Sequence, residues 1–577
     1  MGKASRKKRD STNEVLGYQG KHEKELKPSQ KTPLKAGLQK TPSTIKFVPI
    51  VILLLVSFAV YFNALSGDFV YDDQDQVVNN PWIRDIRSIP TIFSRSVWSF
   101  QPGLSTWNYY RPLMHIVYML NYHVFGLNPW GFHLLNILFH CGASVLVFLI
   151  IRKFLAEQKV SKSSVYLSPP FMAAMLFASH PIHTEAVTWI AGLPDVAFTF
   201  FYLLSLYLYI LFRDGAKRGY LFSILSFSVA TLFKEPALTL PIMLIAYDYQ
   251  IKKFDETLLV GIKRYIPYIV VSGIYLLVRY HALGSFAPLE SYANLSTYQF
   301  IINVFPLFRE YLTSLLWPFN LNFWHTFHPI STLSEANGII SIVVTVIFIV
   351  VVLVAYKKNK IYFFALLLIV IPLLPAFYIK GISGKPYAER YLYLPSVGYA
   401  LLLAMFLSWA KDKLPHATKG ITMIFIVIVG VYTIGTLSRN NVWKNNFSFW
   451  SDTAKKSPDN AIAHNELALA YVSQGQLDRA ITEVQTALRL KPDSANAHIS
   501  LGNLYAAQGR LDRAIAEFQE ALRLKPNSAI AHTKLARAYA SQGQLDRAIA
   551  EFQTALRLKP DFNEAQQGLN DLVSRRR

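Results

Sequence analysis

Cysteine is nearly absent from this chain, and charge is scarce. The single cysteine, Cys141, lies inside an apolar run, so the sequence carries neither a disulfide framework nor a thiol metal cluster. Charged residues are 16% of 577 positions, against 52% hydrophobic and 14% aromatic, which leaves too few polar side chains to coat a soluble body of this size. Acid is scarcer than base, giving a formal net charge of +22. The bases are scattered among short loops between apolar runs, and no basic helix or stacking-aromatic groove motif accompanies them. Orientation in a bilayer accounts for that pattern better than nucleic acid, which is excluded as a partner.

What is present is a succession of long apolar runs. Residues 1–46 form a polar tail led by Lys3, Arg6, Lys7, Lys8 and Arg9, with almost nothing to bury, and read as disordered. The run from Phe47 to Leu65 is long enough to cross about 30 Å of hydrocarbon, and no small-residue cleavage pattern clearly follows it, so a retained anchor is expected. Further runs fall near 131–151, 170–187, 194–212, 219–233, 236–250, 265–283, 338–356, 361–379, 391–409 and 420–438, eleven spans in all. With the tail inside, every inner loop is basic: Arg152, Lys153, Lys159 and Lys162; Arg213, Lys217 and Arg218; Lys252, Lys253, Lys263 and Arg264; Lys357, Lys358 and Lys360; Lys411, Lys413 and Lys419. The odd number of spans puts the C-terminus outside. The first outer loop, with Trp82, Trp98 and Trp107 and with Ile83, Ile86, Ile89, Ile92 and Phe93 at near-helical spacing, is expected to lie along the interface as short amphipathic helices. Arg309 and Glu310 at the centre of 300–318 make that segment interfacial or re-entrant rather than a span.

After Arg439 the pattern changes. Pro458, Pro492, Pro526 and Pro560 recur at a period of 34, each closing a pair of amphipathic helices with the tetratricopeptide signature. The second unit shows it in Leu501, Gly502, Tyr505, Gly509, Ala514, Phe518 and Ala521. Three units are about the minimum for a stable stack, and 561–574 reads as the solvating cap. The expected architecture is therefore all-α: a basic cytoplasmic tail at 1–46, a multi-span domain at 47–440, a connecting helix at 441–458, and three repeats plus cap at 459–577.

The ionisable residues of the apolar domain fall on one side. Asp72 and Asp73 leave the first span; Tyr109, Tyr110 and Arg111 end the first outer loop; His180, His183, Glu185 and Asp195 occupy the second. Lys234 and Glu235 form the third, Arg279 ends the seventh span, and Glu389 and Arg390 open the tenth. Singly, each has a plain reading as a belt neighbour, a snorkelling base or an interfacial ion pair. Their common side argues for a site. Zinc binding by His180, His183 and Glu185 is disfavoured, because the spacing across Pro181 is not the helical two-histidine arrangement and no fourth ligand is evident.

The stretches FVYDDQDQVVNNPWI, YYRPL, GFHLLNILFH, HPIHTEAVTWIAGLPD, FKEPALTLP and AERYLYLPSVG, followed by RNNVWKN and tetratricopeptide units, resemble the transmembrane and tetratricopeptide repeat-containing O-mannosyltransferases and their prokaryotic relatives. The resemblance covers nearly the whole chain from Phe47. It implies a GT-C glycosyltransferase, a multi-span enzyme that takes a sugar from a polyprenyl-phosphate carrier and keeps an acidic pair in its first outer loop. One departure is GLPD, where relatives often have a GRAD-like sequence, which puts in doubt a phosphate contact at Leu193.

The resemblance implies that Asp72 or Asp73 is the base that accepts the proton of a Ser or Thr hydroxyl, with the other positioning it. Arg390 first, then Lys234, Arg111 and Arg279, would stabilise the departing lipid phosphate, with no metal or other cofactor required. His180, His183, Glu185, Asp195, Glu235 and Glu389 would shape the site or meet the acceptor. An inverting displacement is the simplest chemistry. Expected partners are the polyprenyl-phosphate sugar donor, a polypeptide acceptor, membrane lipid, and a protein held by the repeats. Two rival readings are a non-catalytic membrane scaffold and a transporter. The sequons at Asn294 and Asn446 would be usable in the endoplasmic reticulum, but the near-consensus repeats and lack of a retrieval signal favour a bacterial plasma membrane.

Overall fold

The computed structural model describes residues 47–101, 109–155, 165–249, 258–286, 295–325, 327–378 and 386–576. The basic tail, Trp107, the loop bases Lys159, Lys162, Lys252 and Lys253, and the Asn294 sequon lie outside the described residues. Among those described there is helix and no strand.

The apolar domain is built from α1 (Phe47–Tyr61), α2 (Pro112–Phe125), α3 (Pro129–Leu155), α4 (Pro169–Ser179), α5 (Leu193–Arg213), α6 (Arg218–Phe233), α7 (Leu240–Tyr247), α8 (Ile266–Leu283), α9 (Val304–Leu316), α10 (Ala336–Lys358), α11 (Lys360–Val370), α12 (Ser396–Lys413) and α13 (Thr418–Asn440). Each of the eleven predicted runs contains one of these helices. Among the described residues, seven segments are long and apolar enough to cross a membrane: Phe47–Ser66, Pro129–Leu155, Ile190–Arg213, Gly261–Leu283, Ala336–Lys358, Lys360–Phe377 and Pro415–Trp443.

The run 219–233 forms the single helix α6, whereas four other predicted spans are interrupted, and proline explains where. The run 170–187 is not one helix: α4 stops at Ser179 because His180, preceding Pro181, takes extended backbone (φ −67°, ψ 124°). Likewise 236–250 begins as a 3-10 turn over Glu235–Thr239, and Pro241 then opens α7. Past Val370, Pro372 and Pro375 turn the chain into a 3-10 segment, Ile371–Phe377. The run 391–409 starts only at Ser396, after Pro395. All four breaks lie toward the same end as the acidic loops. The opposite ends carry the bases, as with Arg152 and Lys153 on α3, Arg213 on α5 and Lys411 and Lys413 on α12.

The first outer loop departs from expectation in two ways. It contains α2, a 14-residue helix begun by Pro112, which exposes Leu120 and Val124 along one face. Trp82 and Trp98 are not belt residues but turn inward, Trp82 against Phe100 and His115, and Trp98 against Phe100. Ile83 and Ile92 are buried in short helical turns, while Ile86 faces out. The ambiguous segment forms α9, which buries Leu307, Tyr311 and Leu315 and exposes Leu316 and Trp317, an interfacial pattern.

Beyond α14 (Asn446–Lys456) come three helix pairs: α15 (Ala461–Ser473) with α16 (Leu477–Leu490), α17 (Ala495–Ala507) with α18 (Leu511–Leu524), and α19 (Ala529–Ser541) with α20 (Leu545–Leu558). The capping helix α21 (Asn563–Arg576) follows. Gly475, Gly509 and Gly543 turn each pair with φ of +72°, +72° and +78°, a conformation glycine adopts without steric penalty. Each pair is tied by the same histidine bridge, His464 to Glu483, His498 to Glu517 and His532 to Glu551, at 2.6 to 2.7 Å.

Candidate active site

Two cavities meet at the broken ends of the helices. The first, of about 430 Å³, is lined by Asp72, Tyr71, Trp98, Arg111, Asp195 and Arg390 among others. The second, of about 250 Å³, is walled by apolar side chains, among them Phe198, Leu238, Leu276, Pro372, Pro375 and Leu394, with Lys234, Glu235 and Arg279 at its polar part. Tyr109, Arg111, Asp195 and Tyr391 line both. The 3-10 segments after α6 and α11 supply much of the second wall, so the irregular backbone occurs where it borders a hollow.

The two neighbouring acids are placed differently. Asp73 is 1% exposed; its Oδ2 accepts from the Val70 N–H at 2.9 Å and its Oδ1 from the Ala191 N–H at 2.8 Å. Burial raises its pKa, with those two N–H groups opposing. It fastens the first outer loop to the turn before α5. That turn is tight: a Cβ on Gly192 would lie 2.4 Å from the Ala186 carbonyl and 2.8 Å from that of Glu185. Asp72, by contrast, is half-buried and faces the cavity. It follows Tyr71, the single non-glycine among the described residues with positive φ (56°). The Tyr71 N–H donates to Asn446 Oδ1 at 3.0 Å, so the side chain of the Asn446 sequon serves in this contact.

The cations converge as the sequence suggested. Lys234 Nζ, 2% exposed, lies 2.5 Å from Asp195 Oδ1 and 4.7 Å from the centre of the Tyr391 ring. Burial lowers its pKa to about 8, helped by Arg111 and Arg390 and opposed by Asp195. Arg390 pairs with Glu185 through its guanidinium and donates its backbone N–H to the same carboxylate at 2.9 Å. Its Nε stands 3.9 Å from Asp195. Glu235 receives Arg279 at 2.6 Å and Arg111 more loosely at 3.4 Å. Arg111 Nε is buried with no protein acceptor, and its guanidinium lies over Tyr109 at 4.5 Å. The four cations thus face Glu185, Asp195 and Glu235, with Asp72 on the wall of the first cavity, and the Nε of Arg111 is the buried donor left for an anion.

Other predicted residues stand back from the cavities. His180 accepts from the Ile182 N–H at 3.2 Å through Nδ1 and reaches the Leu315 carbonyl at 3.2 Å through Nε2. His183 meets Ser396 Oγ at 2.7 Å. Both hold the chain break after α4 in place. Glu389 accepts from the Asn322 N–H at 2.5 Å and lies 3.5 Å from His325, which also contacts Glu310 at 3.1 Å. Leu193 is fully buried in the core, where a phosphate cannot reach it. Among the described residues, no group of three or more His, Cys, Asp or Glu side chains gathers as a metal site.

Sequence reasoning missed the cavity's aromatic and repeat-borne walls. Phe323, Trp324 and Ile462 of α15 line the Asp72 cavity. The aromatic density of LNFW, and its return to the core far from the first loop, was the available signal.

The tetratricopeptide repeat family matches residues 450–495, 465–529 and 499–563. The chain is 29% identical over 450 residues to a Caenorhabditis elegans protein named protein O-mannosyl-transferase F38B6.6, covering 76% of this chain and 62% of that one. It is 28% identical over 482 residues to human protein O-mannosyl-transferase TMTC4, covering 74% and 64%. Human protein O-mannosyl-transferase TMTC2 is 35% identical over 209 residues, covering 33% and 23%. The resemblance drawn from the motifs is borne out by these names, and the chain spans less than two thirds of the length of each of these relatives.

Proposed function

We propose that this chain is a membrane glycosyltransferase that moves mannose, or a similar hexose, from a polyprenyl-phosphate carrier to a Ser or Thr hydroxyl of a polypeptide. The observation that carries the reading is that Asp72 and Arg111 line one cavity while Arg111, Lys234 and Arg279 line an apolar one sharing its wall. A lipid phosphate at the shared wall would have cations around it and apolar surface behind it for the isoprenoid.

Asp72 is the base. As the hydroxyl oxygen bonds to the anomeric carbon, the carbon–phosphate-oxygen bond breaks and the hydroxyl proton passes to Asp72. The electron pair leaves on the lipid phosphate, whose growing charge is met by Arg111, Lys234 and Arg279. We rank Arg111 ahead of Arg390, because the latter is committed to Glu185 through side chain and backbone while Arg111 keeps a buried Nε free of protein acceptors. Asp73 positions the loop. The site end of the helices and the repeats face outward, with the basic ends inward. A scaffold has no comparable use for Lys234 and Asp195, each 2% exposed, beside a hollow.

The test is transfer from polyprenyl-phosphate mannose to Ser/Thr peptides by the purified full chain. Asp72→Asn is expected to lower turnover by about 10²–10⁴ without altering thermal stability. Undiminished turnover in that variant would sink the reading.

A further inference from the structure

Tetratricopeptide units attached to an enzyme are commonly pictured as an arm that recruits substrate at a distance. Here the first repeat reaches the cavity itself. Ile462, in the first turn of α15, lines it together with Asp72. Glu466 lies one helical turn further along the same face. It is near enough to Tyr71, another lining residue, that its charge acts on that phenol: burial raises the Tyr71 pKa most, Asp72 and Glu466 add to it, and Arg390 opposes.

Glu466 differs from four of the acids at this end of the molecule. Glu185, Asp195, Glu235 and Glu389 each have a cationic or histidine partner. Among the described residues no Lys, Arg or His pairs with Glu466, whose one side-chain contact is the Asn465 amide at 3.3 Å. Its carboxyl is pushed above the ordinary value by burial, with that contact opposing. Next to it, Asn465 is 9% exposed and its Oδ1 has no hydrogen-bond partner. A carboxylate whose one protein donor is a neighbouring amide at 3.3 Å suits a ligand rich in N–H. A lipid phosphate seated at Arg111 would add another negative charge to the cavity, increasing the attraction for a cation at its rim.

We propose that Glu466 is a specificity-determining residue, engaging a Lys or Arg side chain of the acceptor polypeptide within two residues of the hydroxyl that receives the sugar. This rests on the reading of the cavity as a polypeptide hydroxyl acceptor site. The first repeat is then part of the acceptor subsite, and the following units extend the track along which the rest of the acceptor lies.

The experiment measures binding and transfer separately with the full chain in detergent. Fluorescent peptides carrying one Thr flanked by Lys, Ala or Glu at positions up to two residues away are titrated by anisotropy without sugar donor. Lys-flanked peptides are expected to bind about tenfold more tightly than Glu-flanked ones. Glu466→Gln abolishes the preference and Glu466→Lys reverses it, with melting temperatures unchanged in both. No charge preference in the parent chain, or the same preference retained in a folded Glu466→Lys protein, overturns the proposal. Asp72→Asn keeps the binding preference and loses transfer. If that variant still transfers sugar while the Glu466 pattern holds, the base assignment fails and the acceptor subsite stands.

Discussion

Replacing Asp73 with Asn separates the two neighbouring acids by their physical roles. The carboxylate accepts one backbone N–H on each oxygen, from Val70 at 2.9 Å and from Ala191 at 2.8 Å, in a side chain 1% exposed. An amide of the same shape has one accepting end only, so whichever way it turns, its NH₂ faces one of these N–H groups. The exchange removes one charge-assisted hydrogen bond and leaves a buried donor without an acceptor, for a cost of about 2–4 kcal/mol. Water cannot repair the contact at that depth. The loop carrying Asp72 loosens from the turn before α5, and stability and turnover fall together. Asp72→Asn, on the cavity wall, removes about 3–5 kcal/mol of transition-state stabilisation and leaves the melting temperature in place. Detergent-solubilised variants compared by intrinsic-fluorescence melting and by initial rates give the answer. An Asp73→Asn protein that melts normally yet fails to transfer would refute the reasoning and make Asp73 the chemical group.

Three further outcomes follow from the same geometry. Gly192→Ala places a methyl 2.4 Å from the Ala186 carbonyl, so the turn carrying Ala191 must move; a loss of about 1–3 kcal/mol in stability and a parallel loss of turnover are expected, read by the same two assays. Arg111→Gln lowers kcat/KM for the lipid donor by about 10²-fold or more with little change in melting temperature, and a normal kcat/KM would remove Arg111 from the phosphate site. His325 is disfavoured as a cation by burial, but hydrogen bonds and charge from Glu310 and Glu389 outweigh that and raise its pKa from 6.5 to about 9. Its contribution, on the order of 3 kcal/mol, is present in full below about pH 6.5 and is lost as pH rises through about 9, so melting curves from pH 6 to 10 should fall in the parent chain and flatten in His325→Gln.

Much of this arrangement was legible in the chain because a bilayer imposes long apolar runs and a one-sided charge bias, and because a 34-residue repeat announces itself. Helix existence followed from those constraints; helix endings did not. His180 takes extended backbone before Pro181, and Pro372 and Pro375 convert the end of α11 into a 3-10 segment, both within stretches whose hydropathy alone reads as continuous span. The acidic pair and the cations could be grouped by side, since alternate loops share an end of the bundle. Which acid faces the cavity could not, because it depends on the N–H groups of Val70 and Ala191, and Ala191 is distant in sequence. The ranking of Arg111 against Arg390 likewise turns on Glu185, whose proximity to Arg390 no spacing rule predicts.

The repeats are fastened to the chemistry by more than proximity. Val70, Trp189 and Phe323 from the apolar domain form one buried cluster with Trp443, Phe449, Trp450, Ala463 and Leu467, so the core crosses from the helical domain into the first repeat. Tyr71 packs its ring on Phe449 and Trp450 of α14 while Asn446 of the same helix holds its N–H. A left-handed conformation at an aromatic residue costs about 1–2 kcal/mol and persists where the surroundings over-determine it. That conformation sets the direction in which Asp72 leaves the loop. Removing 459–577 therefore takes Ala463 and Leu467 out of the cluster that orders Tyr71, and it disturbs the carboxylate as well as the recruiting surface. Truncation cannot distinguish an enzyme with a binding arm from a scaffold, whereas single substitutions at Asp72 and Glu466, which leave the aromatic cluster whole, can.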